Sequence, residues 1–341
     1  MRTGGNVSGF MDLRVKRLIE EGQQAGPAID ATAPYISGPN GLMQMQALRT
    51  PEEVRRHVEY WADAGATSFK AYMSVTRAQL AAAIDAAHRR GLKVTGHLCS
   101  VTYAEAADLG IDNLEHGFLA ATDFVGGKKP DACPAAAETQ AAIAELEEDS
   151  PRLQVLVRKL IDRKVALTST LTVFETLTPG RPVPPGLDVL IAPLKAQFEE
   201  RYARVATNAA SPYKKLFPKA MALERAFVRA GGLLLAGTDP TAAGGVVPGF
   251  ANGRQIELLV EAGFSPIEAI SIATRNGAEY LGLAARIGTI EFGRQADLVV
   301  IAGDPSTRIA DIRNIETVFK QGLGYDPAKL LDSVKGQVGL W

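Results

Sequence analysis

Four residues whose side chains bind metals or exchange protons each stand at the end of an apolar, strand-like run. They are Lys70, His97, His116 and Asp239. Parallel strands place their carboxyl ends at one edge of a sheet, so these side chains are expected to converge. Two neutral imidazoles and an anionic oxygen suit Zn²⁺ in a catalytic site that keeps one position for water. The four residues therefore predict a metal site at which activated water attacks a substrate, with Asp239 as general base.

Lys70 is the candidate for the anionic oxygen. An unpaired ammonium group inside a packed barrel is costly unless its pKa falls, and a lysine with a lowered pKa is a nucleophile. Such a lysine can take up carbon dioxide as a carbamate, an oxygen ligand able to bridge two metal ions. Tyr72 follows two residues later in the same strand and therefore points to the same side. Its hydroxyl group is a candidate for polarising a substrate carbonyl or binding a carboxylate.

Other polar residues carry less weight. His57 and His88 lie inside predicted helices, where histidines are typically structural, and we set them aside. Arg275 stands at the start of a helix near the predicted barrel mouth, and Thr168 and Thr170 lie at a strand end. These three are candidates for substrate contacts by position alone, because surface arginines and strand threonines are common.

The composition excludes several classes of partner. The 341 residues carry 37 basic and 38 acidic side chains with no basic stripe, so nucleic acid is not an expected partner. No run reaches the ~18 apolar residues of a membrane span, and the first residues lack the apolar part of a secretory signal. As written, the chain is expected in the cytoplasm, although the compartment stays open. Cys99 and Cys133 could in principle pair, but they are too few for a disulfide framework and are expected to be idle or buried thiols.

The elements that must position the four residues alternate between strand-like and amphipathic helical runs, which is typical of βα units and a parallel sheet. The predicted strands lie near 28–36, 66–73, 92–98, 111–117, 164–171 and 232–239, and predicted helices at 51–64, 76–90 and 265–281. Long connections at 119–150 and 173–215 follow strand carboxyl ends, where barrel enzymes place lids. Short strands at 288–293, 297–301 and 315–319 predict a small β appendage.

The order of these motifs resembles the amidohydrolase superfamily of metal-dependent hydrolases, in particular its imidazolonepropionase-like and Xaa-Pro dipeptidase-like branch. The resemblance is carried by Lys70, Gly96-His97-Leu98, Glu115-His116-Gly117 and Gly237-Thr238-Asp239-Pro240, with support from 273–282 and 287–299. It implies a (β/α)8 TIM-type barrel with a β-sandwich. It also implies that Lys70 is the carbamylated bridge, that His97 and His116 bind the second metal, and that Asp239 is a ligand and proton shuttle.

The chain departs from the family pattern because it contains no His-x-His pair, which the resemblance would place on the first strand. We therefore expect an N-terminally truncated barrel lacking about the first two strands, over 1–283, and a C-terminal remnant of the sandwich, over 284–341. Open barrel edges are costly unless another chain covers them, which makes a homo-oligomer an expected partner.

The resemblance implies a small-molecule substrate with an amide-type C–N bond, such as a cyclic amide, an N-acyl amino acid or a dipeptide. One or two divalent ions, expected to be Zn²⁺, would serve the reaction. Two alternatives stay open: an inactive remnant that lacks the His-x-His half of the metal site, and an enzyme without metal in which Lys70 forms a Schiff base.

Overall fold

The computed structural model describes residues 1–39, 45–240 and 244–339. The chain divides into two compact units. The first comprises Met1–Thr168 with Phe227–Leu233, and the second comprises Ser169–Ala226 with Leu234–Trp341. The boundary near residue 284 that the sequence suggests stays a prediction.

The first unit is built on a parallel sheet flanked by helices. Its strands are β1 (Ser68–Ala71), β2 (Lys93–Gly96), β3 (Asn113–Glu115) and β4 (Ala166–Ser169, which ends at the unit boundary). Its helices are α1 (Phe10–Glu20), α2 (Pro51–Asp63), α3 (Arg77–Arg89), α4 (Tyr103–Leu109), α5 (Ala136–Ala144) and α6 (Pro151–Asp162). Lys70 pairs with Thr95 and Gly96 with Leu114. This register brings the ends of successive strands side by side, as the sequence predicts.

Most residues of these strands are buried although polar and apolar residues alternate along them, as in Ser68-Phe69-Lys70-Ala71 and Asn113-Leu114-Glu115. Every residue of β1 and β4 is buried, as parallel strands covered by helices require. Phe69, Leu114 and Leu167 have no exposed surface, and Leu80 of α3 packs equally deeply. The ends of the strands therefore stand on a rigid base.

Helix caps explain where the helices begin. Thr50 caps α2 and Thr76 caps α3, each as part of a capping box whose partners are Glu53 and Gln79. Two backbone N–H groups that lack helical partners are satisfied in each box. The helices predicted at 51–64 and 76–90 are confirmed.

The strand predicted at 28–36 is present only as isolated parallel bridges, Thr32 to Ser68 and Ile36 to Ala71. The first residues of the chain continue this pairing, since Arg2 bridges to Asp30 in parallel. Residues near the start thus lie at the edge of the sheet, and Arg2 is held where its side chain can reach inward.

Cys99 and Cys133 form a disulfide bond, with their Cα atoms 5.0 Å apart. The expectation of idle thiols was wrong. The bond joins the segment after β2 to the long connection after β3, two stretches that only the folded sheet brings together.

The second unit is mainly helical. It contains α7 (Leu171–Glu175), a 3-10 helix (Leu187–Val189), α8 (Ala192–Thr207), β5 (Leu234–Ala236), α10 (Phe250–Glu261), α11 (Pro266–Ala273) and α12 (Arg275–Tyr280). Helix α9 (Tyr213–Arg229) extends across the unit boundary. After β5, the N–H group of Gly237 donates to the carbonyl of Ser169 at the end of β4 over 2.8 Å. No helix in the described residues is long and apolar enough to cross a membrane.

The helix predicted at 265–281 is two helices, because Thr274 leaves helical geometry with φ −123° and ψ −78°. The predicted strand at 288–293 was also wrong, since these residues form bends and turns. An antiparallel sheet follows, with β6 (Leu298–Ile301), β7 (Ile315–Lys320) and β8 (Leu323–Tyr325) in that order. A 3-10 helix (Ile309–Arg313) precedes β7 and α13 (Pro327–Asp332) follows β8. The small β appendage is therefore confirmed from residue 298 onward.

Candidate active site

His97 and His116 meet at the carboxyl ends of β2 and β3. Nε2 of His116 lies 3.1 Å from Nδ1 of His97, and the two rings stand edge to face with their centroids 4.3 Å apart. His116 is buried, and this burial, reinforced by the positive charge of Lys70, lowers its pKa to about 3. The imidazole of His116 is therefore neutral, which is the form that binds a metal ion.

The distance between these two nitrogens fits a shared metal ion. Two nitrogens at about 2.05 Å from one tetrahedral Zn²⁺ would be about 3.3 Å apart. The 3.1 Å separation comes within a few tenths of an ångström of that value. The separation is also an ordinary hydrogen-bond distance between the two ring nitrogens, and a cation held by the pair stays a prediction. Among the residues that the structure describes, no cluster of three His, Cys, Asp or Glu side chains completes such a site.

Lys70 occupies the middle of β1 and is only 5% exposed. Its ammonium nitrogen lies 5.7 Å from the centre of the Tyr35 ring. The positive charge of Lys70 lowers the pKa of His116 and the pKa of Glu115, so the three side chains lie close enough to interact. Lys70 is thus a buried amine, and its role at a metal site stays a prediction.

Tyr35 lies beside Lys70, and Tyr72 lies beside His97. The ring of Tyr72 lies 5.0 Å from the ring of His97, edge to face, and 4.9 Å from the ring of Tyr35. Both tyrosines are half-buried. A Cβ atom at Gly5 would come within 2.5 Å of the Tyr35 ring, so a glycine is needed there. Sequence reasoning found Tyr72 but missed Tyr35, which precedes a predicted strand end without any motif.

A buried polar network lies beneath the histidines. Glu115 accepts hydrogen bonds from Arg2 over 2.8 Å and from the Thr95 hydroxyl over 2.7 Å. Burial alone would raise the pKa of Glu115, but the charges of Arg2 and Lys70 outweigh it and hold the pKa at about 2. The sequence showed Glu115 only as a part of the Glu-His-Gly motif. The negative charge of Glu115 helps to compensate for the burial of the positive charge of Lys70.

Strained backbone marks two of the predicted residues. His116 has φ +70° and Asp239 has φ +52°, in the left-handed region that residues with side chains seldom occupy. Such conformations concentrate at functional sites, where surrounding structure holds them. Asp239 follows β5 in the second unit, whereas Lys70, His97 and His116 belong to the first. The participation of Asp239 in the site stays a prediction.

Of the remaining polar candidates, His57, His88 and Thr168 have structural partners. Nε2 of His57 lies 3.0 Å from the carbonyl of Pro34, and His88 pairs with Asp112 on the surface. Thr168 donates to Asn113 over 3.1 Å within the buried network. Thr170 is likewise buried, and Arg275 is exposed at the start of α12.

Comparison with known proteins gives a family and a fold. The sequence profile described as "Amidohydrolase family" matches residues 16–324. An adenine deaminase of Paracoccus denitrificans (strain Pd 1222) is 34% identical over 88 residues, which are 25% of this chain and 13% of that protein. The chain therefore matches only a small part of that curated relative.

Among solved structures, one described as "AH, Bottromycin amidohydrolase" has a TM-score of 0.71 at 21% identity, covering 95% of this chain and 70% of its own. A Xaa-Pro dipeptidase with bound methionine has a TM-score of 0.66 at 20% identity, covering 95% and 74%. Likeness at these identities shows the fold, and it confirms the predicted TIM-type α/β class.

Proposed function

Because the chain belongs to the amidohydrolase family, we propose that it is a metal-dependent hydrolase of amide-type C–N bonds. One observation carries the proposal: the 3.1 Å approach of Nδ1 of His97 to Nε2 of His116, at a spacing suited to one shared cation. The neighbouring buried Lys70 supports it, because a carbamate on its amine would supply an anionic oxygen.

In this proposal His97, His116 and a carbamate formed on Lys70 would hold a divalent ion, with Zn²⁺ first among the candidates. When bound, such an ion supplies Lewis acidity, which polarises a carbonyl and makes water more acidic. Asp239 takes a proton from the attacking water and passes it to the leaving nitrogen, and it is also a candidate ligand. The Tyr72 hydroxyl group donates to the substrate carbonyl or carboxylate.

We propose dipeptides and N-acyl amino acids as the first substrates to test, with cyclic amides next. The structurally similar Xaa-Pro dipeptidase and bottromycin amidohydrolase motivate this order by their names. The half-buried tyrosine pair beside His97 supports it as well, since hydroxyl groups suit a carboxylate and aromatic faces suit an apolar ring.

The decisive experiment measures bound metal and hydrolysis on the same preparations. Wild-type protein is expected to hold about one zinc per chain by elemental analysis after loading and dialysis, with two as the upper bound. His97→Gln and His116→Gln should lose both the metal and the activity. His88→Gln, which changes an exposed histidine on α3, is the matched control and should keep both.

Two outcomes would favour the alternatives. A folded wild-type protein that binds no zinc and hydrolyses none of the substrates would support an inactive remnant. Activity that survives chelators, together with trapping of a ketone substrate on Lys70 by borohydride, would support Schiff-base chemistry instead.

A further inference from the structure

A chain of buried hydrogen bonds runs through the second unit. The hydroxyl group of Ser169 donates to Oε2 of Glu224 over 2.6 Å and accepts from Nε2 of Gln255 over 2.8 Å. Oε1 of Gln255 then accepts from the backbone N–H group of Thr172 over 3.1 Å. All four residues are at most 3% exposed. Gln255 therefore uses both ends of its amide to join α10 to the end of β4 and the start of α7.

This series of hydrogen bonds ends at Thr238, the residue before Asp239. The hydroxyl group of Thr172 donates to the backbone carbonyl of Thr238 over 2.8 Å. Just upstream, the N–H group of Gly237 donates to the carbonyl of Ser169 over 2.8 Å. The two residues that lead into Asp239 are thus fastened to the segment 169–172 at two points.

Asp239 needs such a support because its backbone is left-handed, with φ +52°. A residue with a side chain keeps this conformation only where its surroundings hold it. The hydrogen bonds made by Gly237 and Thr238 support the backbone in this way. Gln255 also bonds to Thr172 and so fixes the residue that donates to Thr238. Apolar residues of similar size could have filled the same interior without any polar group to satisfy. These hydrogen-bonded polar residues therefore do more than fill the interior.

We propose that Thr172 and Gln255 are positioning residues that hold the backbone of Asp239 in its left-handed conformation and so aim its carboxylate. The inference rests on the proposed role of Asp239 as general base. A general base works only within hydrogen-bond reach of the proton that it takes. A displacement of about 1 Å at such a group can reduce the rate about 100-fold.

The test removes one hydroxyl group. Thr172→Val keeps the shape of the side chain but deletes the bond to the Thr238 carbonyl. We expect kcat to fall about tenfold or more while KM changes less than about twofold. Thr172→Ser, which keeps the hydroxyl group, should restore most of kcat. A crystal structure of Thr172→Val should show Asp239 shifted from its left-handed φ, a readout that does not depend on activity.

Thr178→Val is the matched control. Its hydroxyl group donates to the Phe174 carbonyl over 2.7 Å in the same unit, and the side chain is also buried, at 8% exposed. Thr178→Val should lower the melting temperature about as much as Thr172→Val does, but its kcat should match that of the wild type. If Thr172→Val and Thr178→Val behave alike and φ of Asp239 is unchanged, the positioning role is overturned. If Asp239→Asn is as active as wild type, the proposed function fails instead, and φ of Asp239 in Thr172→Val still decides whether the hold exists.

Discussion

Glu224 illustrates how a single buried carboxyl group couples the fold to pH. It is 1% exposed, and burial raises its pKa to about 8 despite the hydrogen bond from Ser169. An exposed glutamate titrates near 4.5. The native protein therefore keeps a proton that the unfolded chain releases between these two values.

The contribution of Glu224 to the free energy of unfolding should consequently be largest below pH about 4.5 and fall by a few kcal/mol in all as the pH rises towards 8. Glu224→Gln keeps the shape and removes the charge, so its curve should lose this slope. Urea denaturation from pH 5 to 8.5 measures the difference. Parallel curves for the two proteins would contradict the prediction.

At the level of single residues, the sequence predicted the site where a motif coincided with a strand end. Lys70, His97 and His116 followed from that coincidence. Tyr35 and Arg2 did not, because Tyr35 has no motif, and Arg2 reaches Glu115 only through a pairing 113 residues apart. The roles of Thr172 and Gln255 depend in the same way on contacts between distant elements.

Among the elements, the strands and capped helices were predictable because their signals are local. A capping box spans four residues, and an apolar run bounded by turns spans eight. The break at Thr274 and the turns at 288–293 carry no such signal, since helix and strand patterns continue through both. The pairing of Cys99 with Cys133 was out of reach for a different reason: only the folded sheet brings the two segments within 5.0 Å.

The disulfide joins two elements that leave neighbouring strands, and it closes a loop of 34 residues. Closing a loop of that length restricts the unfolded chain by about 4 kcal/mol in the chain-entropy model. Reduction should therefore lower the melting temperature, measured by scanning calorimetry with and without a thiol reductant. The double variant Cys99→Ala/Cys133→Ala should be insensitive to the reductant. An unchanged wild-type melting temperature would show that the bond does not form.

For the whole molecule, exposed apolar surface on the β appendage bears on the state of assembly. Val299 and Val300 of β6 are 53% and 42% exposed, and Ile290 and Phe292 are almost fully so. Neighbouring apolar groups left open in this way are typical of surfaces that another chain covers. We propose a homo-oligomer in which a second copy of the chain covers this surface.

Light scattering at micromolar concentration should give at least twice the mass of one chain. Val300→Lys, which places a charge on the sheet, should shift the distribution towards single chains without changing the folded signal in circular dichroism. Ile267→Lys, at an exposed apolar position on α11, is the matched control and should leave the mass unchanged. A single-chain mass for wild type across the concentration range would contradict the proposal.

The left-handed backbone at His116 has a consequence for any attempt to improve this protein by selection. Glycine adopts that conformation at no steric cost, but His116 is only 4% exposed, so glycine at position 116 would also leave an empty space in the interior. A clone with glycine there would also lack an imidazole to which the proposed function assigns a metal ion. Directed evolution of this chain therefore needs selection for turnover in every round, because a screen for stability alone does not test the proposed role of this side chain.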